Sequence, residues 1–157
     1  MEERHGWRCM RVVWGVLLIL ILGAAPAWAV LGEPEASVSA DRQFLRGQIR
    51  DEAHEGYRLH QITYSSGAVV REYVSPAGKV FGVSWQGPRV PNMQQLLGSY
   101  FTYLQQYAQA QTGRHGGPLI IQKNDFVFSS GGHMRSYHGR AYLPSLLPTN
   151  LLPEVVQ

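Results

Sequence analysis

Apolar residues are arranged along this chain in three different periods. From Val12 to Ala25 they run together for 14 residues, broken only by Gly15 and Gly23. From Tyr57 to Gln86 they come in short runs rich in β-branched and aromatic residues, separated by Ser65-Ser66-Gly67 and Ser75-Pro76-Ala77-Gly78. Turns of that length join neighbouring antiparallel strands, so the region reads as a three-stranded meander: Tyr57 to Tyr64, Ala68 to Val74 and Lys79 to Trp85. After Gly87-Pro88 and Pro91 the period changes to that of a helix. Asn92 is placed to cap it, and Met93, Leu96, Leu97, Tyr100, Phe101, Leu104, Tyr107 and Ala108 form one stripe, opposite Gln94, Gln95, Gln105, Gln106 and Gln109. No charged residue occurs from Val90 to Gly113. A helix of this kind lies across a sheet.

Beyond the Gly/Pro loop of Gly113 to Pro118, Leu119 to Lys123 and Asp125 to Ser129 read as strands. Gly131-Gly132 supplies a hairpin turn into a further strand, His133 to Tyr142. Upstream, Val30 to Ser37 reads as an extended lead-in. A short helix is expected after it, with Ser39 as its cap, Asp41 in its first turn, Phe44, Leu45 and Ile49 on one face, and Gly56 as its end. Leu143 to Gln157, with Pro144, Pro148 and Pro153 among leucines, reads as an extended arm on the surface. The expected fold is α+β: an antiparallel sheet of about five strands, covered on one face by the long helix.

The N-terminal apolar run has a second meaning. Arg4, Arg8 and Arg11 precede it, Pro26 breaks it, and Ala27-Trp28-Ala29 sets small side chains at the two positions that signal peptidase reads. Residues 1–29 therefore read as a secretory leader cut after Ala29. Residues 30–157 are then a single domain exported to the periplasm. The start codon is Met1 or Met10. If the leader stays attached, the uncharged stretch from Val12 to Gly32 becomes an inner-membrane anchor.

Charge and cysteine usage narrow the chemistry. The chain carries net +3, and the leader's own excess leaves +2 for residues 30–157, with acidic and basic residues interspersed. No nucleic-acid or polybasic membrane footprint is present. The one cysteine, Cys9, lies in the leader. Residues 30–157 thus have no disulfide, no thiol nucleophile and no cysteine metal site.

Several groups of residues resemble a known family. They are Leu31-Gly32 with Ser37-Val38 and Ala40-Asp41, Arg71-Glu72-Tyr73-Val74, and Val80-Phe81 with Trp85-Gln86-Gly87-Pro88. To these are added Leu96-Leu97-Gly98-Ser99-Tyr100-Phe101, Ser130-Gly131-Gly132 with Met134-Arg135, and Pro144 to Pro148. Together they resemble the bacterial exported proteins grouped as domain of unknown function 2844, over about residues 31 to 150. The resemblance implies export and a single domain. It brings no activity, cofactor or catalytic residue.

Candidate chemistry is sparse. His54 and His60 are separated by Gly56, and His133 and His138 stand five apart on an expected strand, so no pair has metal-binding spacing. The histidines read as solvated or singly hydrogen-bonded. Ser129 to His133 is not a nucleophile elbow, because its glycines are expected to turn the chain. Asp51 and Glu52 read as helix-end residues and Glu33 and Glu35 as part of the lead-in, so no carboxylate pair is set for glycosidase work. No catalytic, cofactor or metal residue is assigned.

What remains is a surface. With the helix on the Val70 and Val74 side, Arg71, Tyr73, Trp85, Arg135 and Tyr137 are expected on the open face as an aromatic and cationic patch. Such a patch suits a glycan, an anionic ligand or an envelope protein. The reading is a non-enzymatic binding or envelope accessory module. The alternatives are a small periplasmic hydrolase built on His133, His138 or His115, and a membrane-tethered interaction protein.

Overall fold

A computed structural model of the chain describes residues 31–38, 48–110 and 117–157. The leader with Ala27 and Ala29, the expected helix start at 39–47, and His115 lie outside the described residues. Seven strands form one antiparallel sheet: β1 (Gln48–His54), β2 (Tyr57–Thr63), β3 (Val69–Val74), β4 (Val80–Gly87), β5 (Leu119–Lys123), β6 (Phe126–His133) and β7 (Ser136–Tyr142). Their order across the sheet is β1-β2-β3-β4-β7-β6-β5. Between β4 and β5 run two helices, α1 (Met93–Leu97) and α2 (Phe101–Ala110), joined by a 3-10 turn at Gly98–Tyr100. The architecture is α+β, with more strands than the sequence led us to expect.

The meander forms as its turns dictate. Gly67 N–H donates to the Tyr64 carbonyl at 3.0 Å, and Gly78 N–H to the Ser75 carbonyl at 2.8 Å. Asn92 Oδ1 accepts from Gln95 N at 3.2 Å, so the cap is where the sequence put it. The helix itself is broken, because Gly98 adopts φ 52° and its N–H turns back to the Gln94 carbonyl. Leu96 and Leu97 are buried, and Met93, Tyr100, Phe101, Leu104 and Tyr107 pack against the core. Gln95 is also buried, contrary to its assignment to the outer face.

Two elements differ in kind. Residues 48–54 are an edge strand, not the end of a helix. Gln, Arg, Glu and Ala are good helix formers, but an edge strand also tolerates such charged residues, which protect it from further pairing. Its hairpin with β2 turns at Glu55-Gly56, with Gly56 at φ 84°. In the β6–β7 hairpin the turn lies at Met134-Arg135, with Arg135 at φ 67°, and Gly131 and Gly132 belong to β6. Gly132 is required for close approach: a Cβ there would stand 2.1 Å from the Ser136 carbonyl oxygen.

The two faces of the sheet are covered by different parts of the chain. On the helix face, Ile62, Val70, Val74, Val83, Trp85, Phe126, Phe128 and Ala141 form the main core with Leu96 and Leu97. The lead-in closes this core. Leu31 is buried, Gly32 N–H donates to the Val80 carbonyl at 2.8 Å, and Val80 N–H to the Glu33 carbonyl at 3.0 Å. On the opposite face, a second cluster of Leu59, Tyr73, Phe81 and Val156 is covered by Leu147, Leu151 and Val155 of the C-terminal arm.

A bulge in β4 divides the strand between the two cores. Tyr73 pairs with Gly82 but Val74 with Val80, so Phe81 is the extra residue. Val80, Val83 and Trp85 therefore face the helices, while Phe81 faces the arm. Regular alternation along this strand would put Phe81 and Trp85 on the same face, and the one inserted residue separates them, which moves Trp85 off the open face where it was expected. Below Val156 lies Gly82, where a Cβ would meet Val156 Cγ2 at 2.7 Å. The arm is thus a packed layer.

Candidate functional site

Cross-strand register places a polar row on the arm face beside the second core: Arg50, Gln61, Arg71, Ser84, Arg140 and Ser129 are successive partners across six strands. The arm is tied to this row through its backbone. The Tyr73 hydroxyl donates to the Gln157 carbonyl at 2.7 Å, the Ser84 hydroxyl to the same oxygen at 2.9 Å, and Gln157 N–H returns to the Tyr73 oxygen at 3.1 Å. Arg140 Nη1 donates to the carbonyls of Pro153 at 3.3 Å and Val156 at 3.2 Å.

Between the arm and strands β1 to β4 an open groove of about 480 Å³ remains, with Glu52, His54, Tyr57, Arg71 and Gln86 among its lining residues and Val155 and Gln157 as its wall. One end is cationic. Arg71 Nε donates to Gln61 Oε1 at 3.2 Å, which fixes the guanidinium plane, and its two Nη atoms have no protein acceptor among the described residues. At the other end the rings of His54 and Tyr57 stack, 4.7 Å apart and 9° from parallel. Glu52 bonds Arg50 Nε at 3.0 Å and His54 Nε2 at 3.4 Å. Burial pushes the Tyr57 phenol above its ordinary value, with smaller contributions from Tyr73 and Glu52.

The five residues expected as one patch do not share a surface. Arg71 and Tyr73 are on the arm face, and Tyr73 is 2% exposed because the arm covers it. Trp85 is on the helix face, 2% exposed and packed on Phe128 at 5.5 Å between centroids. Arg135 is in the β6–β7 turn, and Tyr137 alternates to the helix side with Ala141. Only Arg71 and Tyr73 line the groove.

A second polar cluster was not anticipated. Asp51 and His60 are cross-strand partners. His60 Nδ1 meets Asp51 Oδ1 at 2.7 Å and its Nε2 meets Glu35 Oε1 at 3.1 Å, while Arg58 also bonds Glu35. His60 is therefore doubly bonded, where solvation or one bond was expected. Its environment became readable only once residues 48–54 were known to be a strand, which sends Asp51 to one face and Glu52 to the other. With a carboxylate at each ring nitrogen, the imidazole has no lone pair aimed at a substrate. The cluster ties the lead-in to β1 and β2.

His133 and His138 lie on two strands, not one, and neither bonds a serine or a carboxylate among the described residues; His133 Nδ1 meets the Met134 carbonyl at 3.3 Å. Among the described residues no group of three His, Cys, Asp or Glu is arranged to hold a metal ion, and no helix is long and apolar enough to cross a membrane.

The family model described as "Protein of unknown function (DUF2844)" matches residues 27–156. The chain belongs to the DUF2844 family. No curated protein and no solved structure gives a significant match. In this DUF2844 protein, the Arg71-Glu72-Tyr73-Val74 segment supplies both the groove cation and the hydroxyl that holds the arm.

Proposed function

We propose that this DUF2844 protein is a non-enzymatic binding domain, exported to the periplasm by cleavage after Ala29, whose ligand lies on the arm face of the sheet. The observation that carries this reading is the Arg71 guanidinium, held through Nε and without an acceptor for either Nη atom among the described residues, in a groove beside the His54–Tyr57 pair. Pockets of this size with a few convergent polar groups are where small ligands are held. What supports binding over turnover is that no serine stands beside a histidine among the described residues lining the groove, and that His60, on the opposite face, has a carboxylate at each ring nitrogen.

The test has two parts. N-terminal sequencing of the exported protein should give a chain beginning at Val30; an intact Met1 or Met10 start would make it a tethered protein instead. Soluble fragments prepared from the cell envelope are then titrated into the isotopically labelled protein. Backbone amide shifts should concentrate at Glu52, Tyr57, Arg71 and Gln86. Shifts confined to the helices or to the β6–β7 turn, or breakdown of a fragment that depends on His133 or His138, would overturn the reading.

A further inference from the structure

The groove is polarised, and its polarity selects a ligand class. Resting on the binding reading above, we propose that it is a subsite for an acidic sugar: the carboxylate of a uronic-acid unit sits on Arg71, and the sugar ring lies against Tyr57 and His54.

Four observations lead there. First, an arginine already bonded through Nε offers its two Nη groups to the outside as a planar pair, which matches the two oxygens of a carboxylate. Arg71 is held in that geometry by Gln61, its neighbour on β2. Second, the rings of His54 and Tyr57 at the far end lie parallel in a face-to-face stack, so each covers one face of the other. The outer π face of the stacked pair is what attracts polarised C–H groups, as one side of a pyranose ring presents them. Third, the two ends differ in how their charges are matched. At the far end Glu52 already pairs with Arg50 and His54, and the phenol of Tyr57 is held toward its neutral form by burial, by Tyr73 and by Glu52, whereas Arg71 has no carboxylate partner among the described residues. A ligand carboxylate is therefore drawn to Arg71, and neutral hydroxyl groups suit the end at Glu52, whose carboxylate accepts hydrogen bonds from them. A phosphate dianion, or a ligand charged at both ends, fits less well. Fourth, the groove is open along the sheet, and Gln86 lies exposed on its floor beside Arg71's strand, so a longer chain can run out past the subsite.

The experiment uses the exported protein with short oligogalacturonides as the probe. The same oligomers with methyl-esterified carboxyl groups are the neutral control, and inorganic phosphate and a sugar phosphate are the alternative anions. Saturable shifts at Tyr57, Arg71 and Gln86 are expected with the acid form, with at least tenfold weaker binding after esterification and loss of affinity as salt is raised. Arg71→Lys keeps the charge but not the planar pair and should weaken binding at least tenfold; Tyr57→Ala should weaken it with the charge preserved. Arg135→Gln removes a cation in the β6–β7 turn, away from the groove lining, and should leave affinity within about twofold. Each variant is first checked for an unchanged amide spectrum away from its own site, and Arg71→Lys and Tyr57→Ala stand in for one another if either fails to fold.

Equal binding of the acid and esterified forms, or phosphate binding as tightly as the uronate, would overturn the acidic-sugar assignment while leaving the groove as a binding site. Groove shifts with another envelope fragment and none with the uronate would do the same. Ligand shifts that fall elsewhere on the molecule would remove both this assignment and the binding reading.

Discussion

The indole of Trp85 covers Gly139 of the neighbouring strand. The two are cross-strand partners, and a Cβ on Gly139 would stand 2.3 Å from Trp85 Cζ2 and 2.7 Å from the Ser129 carbonyl oxygen. Neither obstacle is the loose end of a flexible chain. Glycine here makes room for the largest side chain of the core at the seam where β4 meets β7. Gly139→Ala should therefore destabilise the protein by about 1–3 kcal/mol, the usual cost of overpacking, and shift the tryptophan fluorescence. Urea unfolding followed through that fluorescence measures both; an unchanged midpoint would mean that Trp85 moves aside without cost.

Val156 seats the arm on Gly82, and the Tyr73 hydroxyl both gives and receives a bond from Gln157. Val156→Ala is expected to cost about 1–3 kcal/mol through the cavity it leaves. Tyr73→Phe removes two hydrogen bonds worth roughly 0.5–1.5 kcal/mol each. Both should raise hydrogen exchange in residues 153–157 before the rest of the sheet opens, read by mass spectrometry. Simultaneous exchange of arm and sheet would show that the arm opens only with the whole fold.

His60 links three segments through Asp51 and Glu35, and its side chain is 12% exposed. Sheltered hydrogen bonds to charged groups contribute about 1.5–3 kcal/mol each, and the Asp51 contact should contribute about 1 kcal/mol or less, since that carboxylate is 69% exposed and screened by solvent. His60→Ala should cost more than Asp51→Asn. A double-mutant cycle of His60 with Glu35 should give a coupling of at least about 0.5 kcal/mol, the range for residues in contact. Strict additivity would mean that the His60–Glu35 contact adds nothing to the hold of the lead-in on β2, leaving it to Arg58.

Two tyrosines set an alkaline limit. Burial raises Tyr57, helped by Tyr73 and Glu52, and burial raises Tyr100, helped by Asp125, Tyr103 and Glu33. A folded-state value above the unfolded one keeps the proton on longer in the folded protein. The stability it brings is complete below the ordinary tyrosine value of 10.0 and is lost as pH climbs through the raised values. Unfolding free energy should fall from about pH 10 upward. Ultraviolet titration should show late-ionising phenols that disappear in the Tyr57→Phe and Tyr100→Phe variants.

The groove was half legible. Arg71 and Tyr73 follow from the alternation of β3 once the helix is assigned to the Val70 side, and both line it. Trp85 was misplaced because one bulged residue, Phe81, reverses the alternation of β4, and nothing in Val80 to Trp85 marks that insertion. Glu52 and His54 were missed with β1 itself. A charged edge strand and a helix end share their residue types, and only pairing with β2 separates them.

Local chemistry decided whatever depended on neighbours in the chain. The Ser-Ser-Gly and Pro-Ala-Gly turns, the Asn92 cap and the three-and-four spacing after it each restrict the backbone where they stand, so the meander and the helical region could be read directly. Tertiary contact decided the remainder. Gly131 and Gly132 could turn a chain or lie within a strand; pairing with His138 and Tyr137 of β7 makes them do the second, and at Gly132 the proximity of Ser136 leaves no room for a Cβ. The leucine and proline tail could have run along the surface, but Val156 over Gly82 and Arg140 beneath its carbonyls make it a third layer, on the face of the sheet opposite the helices. The physical reason is the same in each case: a residue's conformational options are local, while the free energy that chooses among them comes from surfaces distant in sequence.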